Sequence, residues 1–96
     1  MIKDEILKNL QVVLEKVGVK DPDIDLDHPA NPDFGDYSTS VALKLSKQLK
    51  KNPLTIAEEI VKNLAKNINV IKVEVIKPGF INFWVADEFL VKNISN

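Results

Sequence analysis

The sequence predicts an α+β domain in which a small, mostly antiparallel sheet carries helices packed on one face, in the order α-β-α-α-β-β-α. Three observations lead to this fold class. Apolar residues recur at spacings of three and four in three stretches, which is the period of amphipathic helices. Two later stretches alternate apolar and polar residues, as half-buried strands do. A Pro-Gly pair separates these two strands and favours an antiparallel hairpin.

Length and composition are those of one globular domain. The 96 residues are 45% apolar and 28% charged, which allows one hydrophobic core and not two. No apolar run approaches the roughly 20 residues that span a bilayer, and Asp4 and Glu5 interrupt the stretch where a secretory signal needs its apolar segment. The sequence contains no cysteine, which excludes disulfides and thiolate metal sites. We therefore expect a cytosolic protein in which residues 1–96 form a single domain.

The first third of the chain predicts a long helix, a short strand and a loop. The helix ends at Gly18, a residue type favoured just beyond a helix C-terminus. Its buried stripe consists of Ile2, Ile6, Leu10, Val13, Leu14 and Val17. Ile24 and Leu26 then alternate with Asp25 and Asp27, as in a strand with one solvated face. Proline and glycine predict a loop over residues 29–36.

Two helices with a sharp corner between them come next. The first begins near Asp36 or Ser38, whose side chains can accept hydrogen bonds from the free amides of a first turn. Its inward residues are Val41, Ala42, Leu45 and Leu49. Asn52 and Pro53 form the cap and the first position of the second helix. The inward stripe of this second helix consists of Ile56, Ala57, Ile60, Val61, Leu64 and Ile68.

The C-terminal part predicts two strands and a final helix. One face of the first strand carries Ile71, Val73 and Val75. Because successive side chains of a strand point to opposite faces, the second strand divides into two sets. These sets are Ile81, Phe83 and Val85 on one face and Phe80, Asn82 and Trp84 on the other. Pro78 and Gly79 fit the central positions of a type II turn. Asp87 predicts the cap of a last helix, which carries Phe89, Leu90 and Ile94.

Motifs for catalysis and metal binding are incomplete. No glycine-rich phosphate loop occurs, and His28 has no second histidine or cysteine with which to share a metal. The aspartates between Asp21 and Asp27 resemble the start of a calcium loop. However, Leu26 and Pro32 stand where such a loop needs glycine and glutamate. These aspartates therefore indicate a charged strand face.

The charge pattern favours local contacts rather than a general attraction to nucleic acid. The net charge is −1, from 13 basic residues, all of them lysine, against 14 acidic residues. A run of lysines in the middle of the chain consists of Lys44, Lys47, Lys50 and Lys51. Such a cluster forms a solvated helix face or contacts phosphates, and the sequence leaves both readings open.

The outer face of the last strand is the strongest candidate for a binding site. A protein that reads an unpaired base needs an aromatic ring for stacking and a side chain that hydrogen-bonds the base edge. Phe80 and Asn82 supply this pair on one face, with the carboxamide expected to be open to solvent. The alternative is that both faces of the sheet are covered, so that Phe80 and Trp84 are core residues.

The segments FGDYSTSVALKLSKQLKKNPLTIAEEIVKNL and VEVIKPGFINFWV together resemble the N-terminal additional domain of arginyl-tRNA synthetases. Members of that family share an FGDY-type turn, an NP-x-x-IA-E helix and a PGFIN-F strand. The resemblance covers essentially the whole chain, and its motifs occur in the same order. Many relatives carry a basic residue where this chain has Trp84, so the resemblance implies that one phosphate contact is either missing here or replaced by apolar packing.

The resemblance implies a domain that contacts the D-loop at the tRNA elbow. The aromatic ring and the amide that the family presents to the base at nucleotide twenty correspond to Phe80 and Asn82. Gly35 and Asp36 of the turn motif then have structural roles, as a backbone turn and a helix cap. With the neighbouring lysines included, the expected tRNA-binding residues are Phe80, Asn82, Trp84, Lys77, Lys44 and Lys47.

The partners implied are tRNA(Arg) and the catalytic core of the synthetase, with no membrane and no DNA. The chain has no HIGH signature, so we expect it to carry no catalytic residue, cofactor or metal of its own. ATP and magnesium are expected only for the full-length arginine-tRNA ligase. The alternative hypothesis is a noncatalytic protein-interaction module that docks a partner domain through the face carrying Phe80 and Trp84.

Overall fold

The helices and strands of the computed structural model follow the order that the sequence predicts. The structure describes residues 2–67 and 69–86. Its elements are helix α1 (Ile2–Lys16), strand β1 (Tyr37–Thr39), helices α2 (Val41–Leu49) and α3 (Pro53–Asn63), and strands β2 (Val70–Ile76) and β3 (Phe80–Val85). A 3-10 turn, Pro32–Phe34, precedes β1. The predicted last helix, with Asp87, Phe89, Leu90 and Ile94, lies outside the described residues.

The three strands form one antiparallel sheet in the order β1-β3-β2. Phe83 in the central strand pairs with Tyr37 on one side and with Val73 on the other. The three helices and the inner face of this sheet enclose one hydrophobic core. Its largest fully buried apolar side chains are Leu10, Leu14, Ile81, Val13 and Val41. The predicted α+β fold class is therefore confirmed.

Helix α1 buries the predicted stripe except for its last member. Val17 is 53% exposed, because α1 ends at Lys16 and Val17 already belongs to the following turn. In that turn Gly18 adopts a φ of 93°, and its amide donates a hydrogen bond to the Glu15 carbonyl at 3.1 Å. Gly18 ends the helix as predicted, whereas the prediction that Val17 is buried is wrong.

Helix α3 begins as its sequence predicts. Asn52 Oδ1 accepts a hydrogen bond from the Leu54 amide at 2.8 Å, and Pro53 is the first helical residue. Of the predicted stripe, Ile56, Ala57 and Ile60 are buried and Val61 is half-buried. The helix ends at Asn63, so Leu64 follows it, and Ile68 lies outside the described residues. Leu49, the last residue of α2, is exposed instead of buried, because the chain turns at Lys50 with a φ of 55°. No helix in the described part of the chain is long and apolar enough to cross a membrane.

Residues 24–27 do not form the strand that their alternation predicts. Asp27 makes an isolated antiparallel bridge with Ser38 through backbone hydrogen bonds of 3.0 and 2.7 Å. Leu26 is buried in the core, as the alternation requires. The Asp25 carboxylate instead accepts hydrogen bonds from Ser40 at the start of α2. The first strand of the sheet is therefore β1.

Helix α2 begins at Val41, so neither Asp36 nor Ser38 caps it. Asp36 adds to the sheet instead. Its amide donates to the Phe83 carbonyl at 2.8 Å, and its carboxylate accepts a hydrogen bond from the Val85 amide at 2.9 Å. The prediction that Asp36 is a helix cap is wrong, because β3 offers both its backbone and its side chain a partner.

Strand β2 departs from regular alternation at its start. The register shifts between Val70 and Lys72, and Ile71 between them is 62% exposed. A bulge leaves one residue without a cross-strand partner and interrupts the alternation of faces. The prediction that Ile71 shares one regular strand face with Val73 and Val75 is therefore wrong.

The β2–β3 hairpin is confirmed, but its turn is not of type II. A type II turn requires a positive φ at its third residue, and Gly79 does not have one. The peptide bond between Lys77 and Pro78 is cis. A Cβ added to Gly79 would lie 2.9 Å from Cβ of Pro53. Glycine at this position therefore lets the hairpin tip pack against the start of α3.

Candidate nucleic-acid interface

Strand β3 presents two chemically different faces, as its alternation predicts. Ile81, Phe83 and Val85 are buried in the core. Phe80 and Trp84 lie on the opposite face and are half-buried. Asn82, between them, is only 3% exposed. The outer face is therefore not an open sheet surface.

Two intramolecular hydrogen bonds hold the Asn82 carboxamide. Its Oδ1 accepts a hydrogen bond from Ser38 Oγ at 2.9 Å, and its Nδ2 donates to the Phe34 carbonyl at 2.7 Å. Ser38 is the β1 residue directly opposite Asn82, and Phe34 ends the 3-10 turn that packs beside it. The expectation that this amide stands open to solvent is wrong. Its oxygen and its nitrogen each retain one further hydrogen-bonding position in a fixed orientation.

Phe80 and Asn82 line a common cavity of about 420 Å³. Other lining residues come from segments far away in the sequence and include Asp27, His28, Phe34, Ser38 and Lys77. Asp27, His28, Phe34 and Lys77 are exposed, whereas Asn82 is buried. The amide therefore lies at the bottom of the cavity, and the charged side chains lie around its mouth. The volume falls within the range of small-ligand sites.

Trp84 lies next to this cavity but is not among its lining residues within the described part of the chain. A Cβ added to Gly35 would lie 3.1 Å from two atoms of the indole ring, so the ring packs directly on the glycine. The ammonium group of Lys72, the cross-strand partner, lies 4.6 Å from the ring centroid. Such a cation–π contact covers the aromatic surface. Structural contacts thus account for much of the Trp84 side chain.

The three lysines predicted to contact tRNA lie in different environments. Lys77 lines the mouth of the cavity. Lys44 lies 3.4 Å from a carboxylate oxygen of Asp25 and 3.8 Å from one of Asp23, so acidic neighbours offset its charge. Lys47 is exposed near the end of α2 and makes no ion pair with the residues that the structure describes. The structure brings only Lys77 together with Phe80 and Asn82.

Asp25 closes the N-terminal end of α2, a role that the sequence does not reveal. Its two carboxylate oxygens accept hydrogen bonds from the Ser40 amide at 3.1 and 2.9 Å, and Oδ2 accepts one from the Ser40 hydroxyl at 2.9 Å. Burial raises the pKa of the Asp25 carboxyl, but these hydrogen bonds and the charge of Lys44 outweigh burial and leave the pKa below its usual value. Asp25 is therefore a structural member of the cavity wall.

Asp25→Asn should destabilise the chain in a pH-dependent way. Replacing the ionised acceptor of the Ser40 hydrogen bonds by a neutral amide should cost about 1 to 2 kcal/mol at pH 7. Because the folded pKa is lowered, this contribution is present above the unfolded pKa of about 3.9 and is lost as the pH falls through the folded value. Urea unfolding of both proteins between pH 7 and pH 3 should show the difference shrinking. Asp23→Asn, which removes an exposed carboxylate beside Lys44, should change stability little. A difference that stayed constant down to pH 3 would contradict the capping role.

The sequence does not reveal the other residues at the mouth of the cavity. The alternation predicts only a solvated strand face for Asp27, and Phe34 falls within the predicted loop of residues 29–36. His28 Nδ1 lies 2.7 Å from the Asp36 carbonyl oxygen, and its ring lies 4.8 Å from that of Tyr37. No spacing in the sequence signals these contacts, because they depend on the bridge that pairs Asp27 with Ser38.

A larger cleft of about 510 Å³ lies between α1, the end of α3 and β2. Its lining is mainly apolar and includes Ile6, Val61, Leu64, Val70 and Val73. Asn9 also lines it. Its Nδ2 donates a hydrogen bond to the Ala65 carbonyl at 2.9 Å, and its Oδ1 accepts one from the Ala65 amide at 3.2 Å. Phe83, the aromatic residue among its lining residues, is only 2% exposed and belongs to the core, so this cleft offers no exposed ring on which a base could stack.

Comparison with known proteins assigns the chain to a family. The family model described as "Arginyl tRNA synthetase N terminal domain" matches residues 2–85, which include every element from α1 to β3. The chain belongs to this family of N-terminal domains. The resemblance inferred from the FGDY, NP-x-x-IA-E and PGFIN-F motifs is thus confirmed.

Curated relatives are arginine–tRNA ligases from bacteria and archaea. The chain is 40% identical over 90 residues to the protein of Thermotoga petrophila, covering 94% of this chain and 16% of the ligase. It is 42% identical over 95 residues to the protein of Methanocaldococcus jannaschii, covering 97% of this chain and 17% of the ligase. The chain therefore spans about one sixth of the length of the relatives that it matches.

Solved structures show the same fold. The arginyl-tRNA synthetase of Thermus thermophilus superposes with a TM-score of 0.83 at 24% identity, over 97% of this chain and 15% of that one. The arginyl-tRNA synthetase of Plasmodium falciparum superposes with a TM-score of 0.79 at 21% identity, over 95% of this chain and 17% of that one. At these identities the superposition establishes the fold alone.

Proposed function

We propose that this chain is the tRNA-binding domain of an arginine-tRNA ligase and contacts the D-loop at the tRNA elbow. The observation that carries the proposal is the cavity in which Phe80 forms a wall and the fixed Asn82 amide forms the bottom. Family membership supports the choice of tRNA(Arg) as the ligand. The catalytic core of the same ligase would be the second partner, and ATP and magnesium would act there.

The side chains of the cavity suit an extruded nucleobase. The Phe80 ring offers a surface on which a base can stack, an interaction worth about 1 to 3 kcal/mol by alanine substitution. The remaining hydrogen-bonding positions of Asn82 are one acceptor and one donor. An acceptor beside a donor suits the Watson–Crick edge of an unpaired base, on which donors and acceptors are also adjacent. Since Ser38 and Phe34 already orient the amide, a base would find it prearranged.

The contribution to aminoacylation would be positional. Binding the elbow on this domain would help to hold the acceptor end of the tRNA in a distant active site, and correct positioning lowers the entropic cost of reaction. Overall charge would contribute little, because the net charge is −1. We expect the isolated chain to bind tRNA(Arg) with a dissociation constant no tighter than about 10⁻⁴ to 10⁻⁵ M, the range typical of non-specific binding.

Amide chemical shifts of the isotope-labelled chain, recorded with and without tRNA(Arg), test this function. The expected result is a set of shifts confined to Phe80, Asn82 and the residues that line their cavity. A tRNA with a different anticodon and a different D-loop serves as the ligand control. If tRNA(Arg) moves no resonance of the cavity at millimolar concentration, the proposal is wrong.

A protein-interaction module remains the alternative function, and the packing of Trp84 weighs against it. Docking through the face with Phe80 and Trp84 requires a continuous exposed apolar patch. Trp84 is instead packed on Gly35 and covered by Lys72, and Phe80 forms the wall of a concave site. Under this alternative, the resonances of Phe80 and Trp84 would shift on addition of the catalytic core and not on addition of tRNA.

A further inference from the structure

We propose that the Asp27 carboxylate accepts a hydrogen bond from the ribose 2′-hydroxyl of the nucleotide whose base enters the cavity. This inference rests on the proposed function, and it assigns to the same site the discrimination of RNA from DNA. The 2′-hydroxyl is the group by which a protein distinguishes the two at a given nucleotide.

Strand pairing places Asp27 in line with Asn82. Asp27 pairs with Ser38 in the isolated bridge, and Ser38 pairs with Asn82 between β1 and β3. Residues directly opposite each other in antiparallel pairs have their side chains on the same face. The three residues therefore form one transverse row on the face away from the core. Two strand spacings separate the ends of this row, which amounts to about 10 Å.

The exposure of the side chains increases along this row from Asn82 to Asp27, which is the direction in which a nucleotide would extend from its base to its sugar. Asn82 is 3% exposed at the bottom of the cavity, whereas Asp27 is exposed at its mouth. A base that presents its Watson–Crick edge to Asn82 must leave its sugar towards the mouth, because the glycosidic bond lies across the ring from that edge. The ribose therefore comes to lie among the exposed lining residues, which include Asp27 and Lys77.

Asp27 and Lys77, the charged residues at the mouth, favour different parts of a nucleotide. An ionised carboxylate can only accept hydrogen bonds and an ammonium group can only donate them. Asp27 can therefore accept a hydrogen bond from a hydroxyl group and repels phosphate. Lys77 can donate a hydrogen bond to phosphate and attracts its charge. The side chain of Asp27 makes no hydrogen bond or ion pair with the residues that the structure describes. Asp25, in contrast, is occupied by Ser40 and Lys44.

A double-mutant cycle between protein and RNA tests this contact. Wild-type chain and Asp27→Ala are titrated with tRNA(Arg) transcripts that carry single 2′-deoxy substitutions along the D-loop, and affinity is measured from amide shifts. At one nucleotide, the deoxy substitution should weaken wild-type binding about tenfold, as expected for a hydrogen bond to a charged group. Asp27→Ala should weaken binding of the unmodified transcript by a similar factor. The two changes together should cost no more than either one alone.

Asp33→Ala is the matched control, because Asp33 is an exposed carboxylate near the cavity that is not among its described lining residues. It should leave the response to deoxy substitution as in the wild type.

Additive losses in the cycle, or no sensitive nucleotide at all, would overturn the inference. Tighter binding of every transcript by Asp27→Ala would also overturn it, because that result would mean that the Asp27 carboxylate only repels phosphate. If Phe80→Ala abolishes binding while the deoxy series has no effect, only this inference fails. If the wild type does not bind tRNA(Arg), the proposed function fails with it.

Discussion

Phe80→Ala is expected to lower kcat/KM for arginylation by about 5- to 150-fold in an arginine-tRNA ligase that carries this chain as its N-terminal domain. The range corresponds to the loss of one base–aromatic stacking interaction, about 1 to 3 kcal/mol. Phe80 is half-buried in the cavity wall, opposite to the hydrophobic core. Truncation should therefore remove ligand contacts and leave the fold intact. Steady-state kinetics with tRNA(Arg) as the varied substrate measure the effect.

Ile71→Ala is the matched control for this experiment. Ile71 is also a large apolar residue of the sheet, but it is 62% exposed and does not line the cavity. The Ile71 variant should have nearly normal kinetics, and both variants should keep the wild-type unfolding midpoint within a few degrees. A Phe80→Ala enzyme with unchanged arginylation would rule out Phe80 as a binding residue and leave the fold assignment untouched.

Asn82 is a less suitable residue for a first test than Phe80. Its amide satisfies Ser38 Oγ and the Phe34 carbonyl, and Asn82→Ala would leave both without this partner. Leaving a buried polar group unpaired costs about 1 to 3 kcal/mol. A loss of tRNA binding in that variant would therefore combine a lost base contact with a loosened cavity.

Gly35→Ala should destabilise the chain by about 3 kcal/mol or more, because two costs add at this position. Gly35 has a φ of 100° and a ψ of −169°, a region that is essentially restricted to glycine. A Cβ there would also lie 2.8 Å from the Phe83 carbonyl oxygen and 3.1 Å from the Trp84 ring. At about 0.05 to 0.15 kcal/mol per residue, this loss is a large part of the stability of a small domain. Urea unfolding measures it.

Gly18→Ala is the control that carries the cost of backbone strain without the cost of steric overlap. Gly18 also has a positive φ, 93°, but nothing lies within 4 Å of the added Cβ. Its substitution should cost about 1 to 2 kcal/mol from backbone strain alone. The chain has one tryptophan, so a change in Trp84 emission should accompany Gly35→Ala and be absent from Gly18→Ala. Equal losses of stability in the two variants would contradict the close packing of Trp84 on Gly35.

The candidate site was partly predictable from the sequence. Alternation along β3 correctly separated the core residues Ile81 and Phe83 from Phe80 on the other face. It could not predict that Asn82 is buried, because burial depends on Ser38 and Phe34, which lie 44 and 48 positions earlier. The carboxylate at the mouth, Asp27, was missed for the same reason.

Local patterns by themselves determined the helices α1, α2 and α3, the β2–β3 hairpin and the family. Helical stripes, the Asn52 cap and strand alternation each involve residues only a few positions apart, so their spacing is visible in the sequence. The tertiary structure alone decided that β1 forms at Tyr37–Thr39 and that Asp36 joins the sheet. It also decided that Asn82 lies at the bottom of a cavity rather than on an open surface. These outcomes depend on which distant segments compete for the same backbone and side-chain partners, and a linear pattern does not encode that competition.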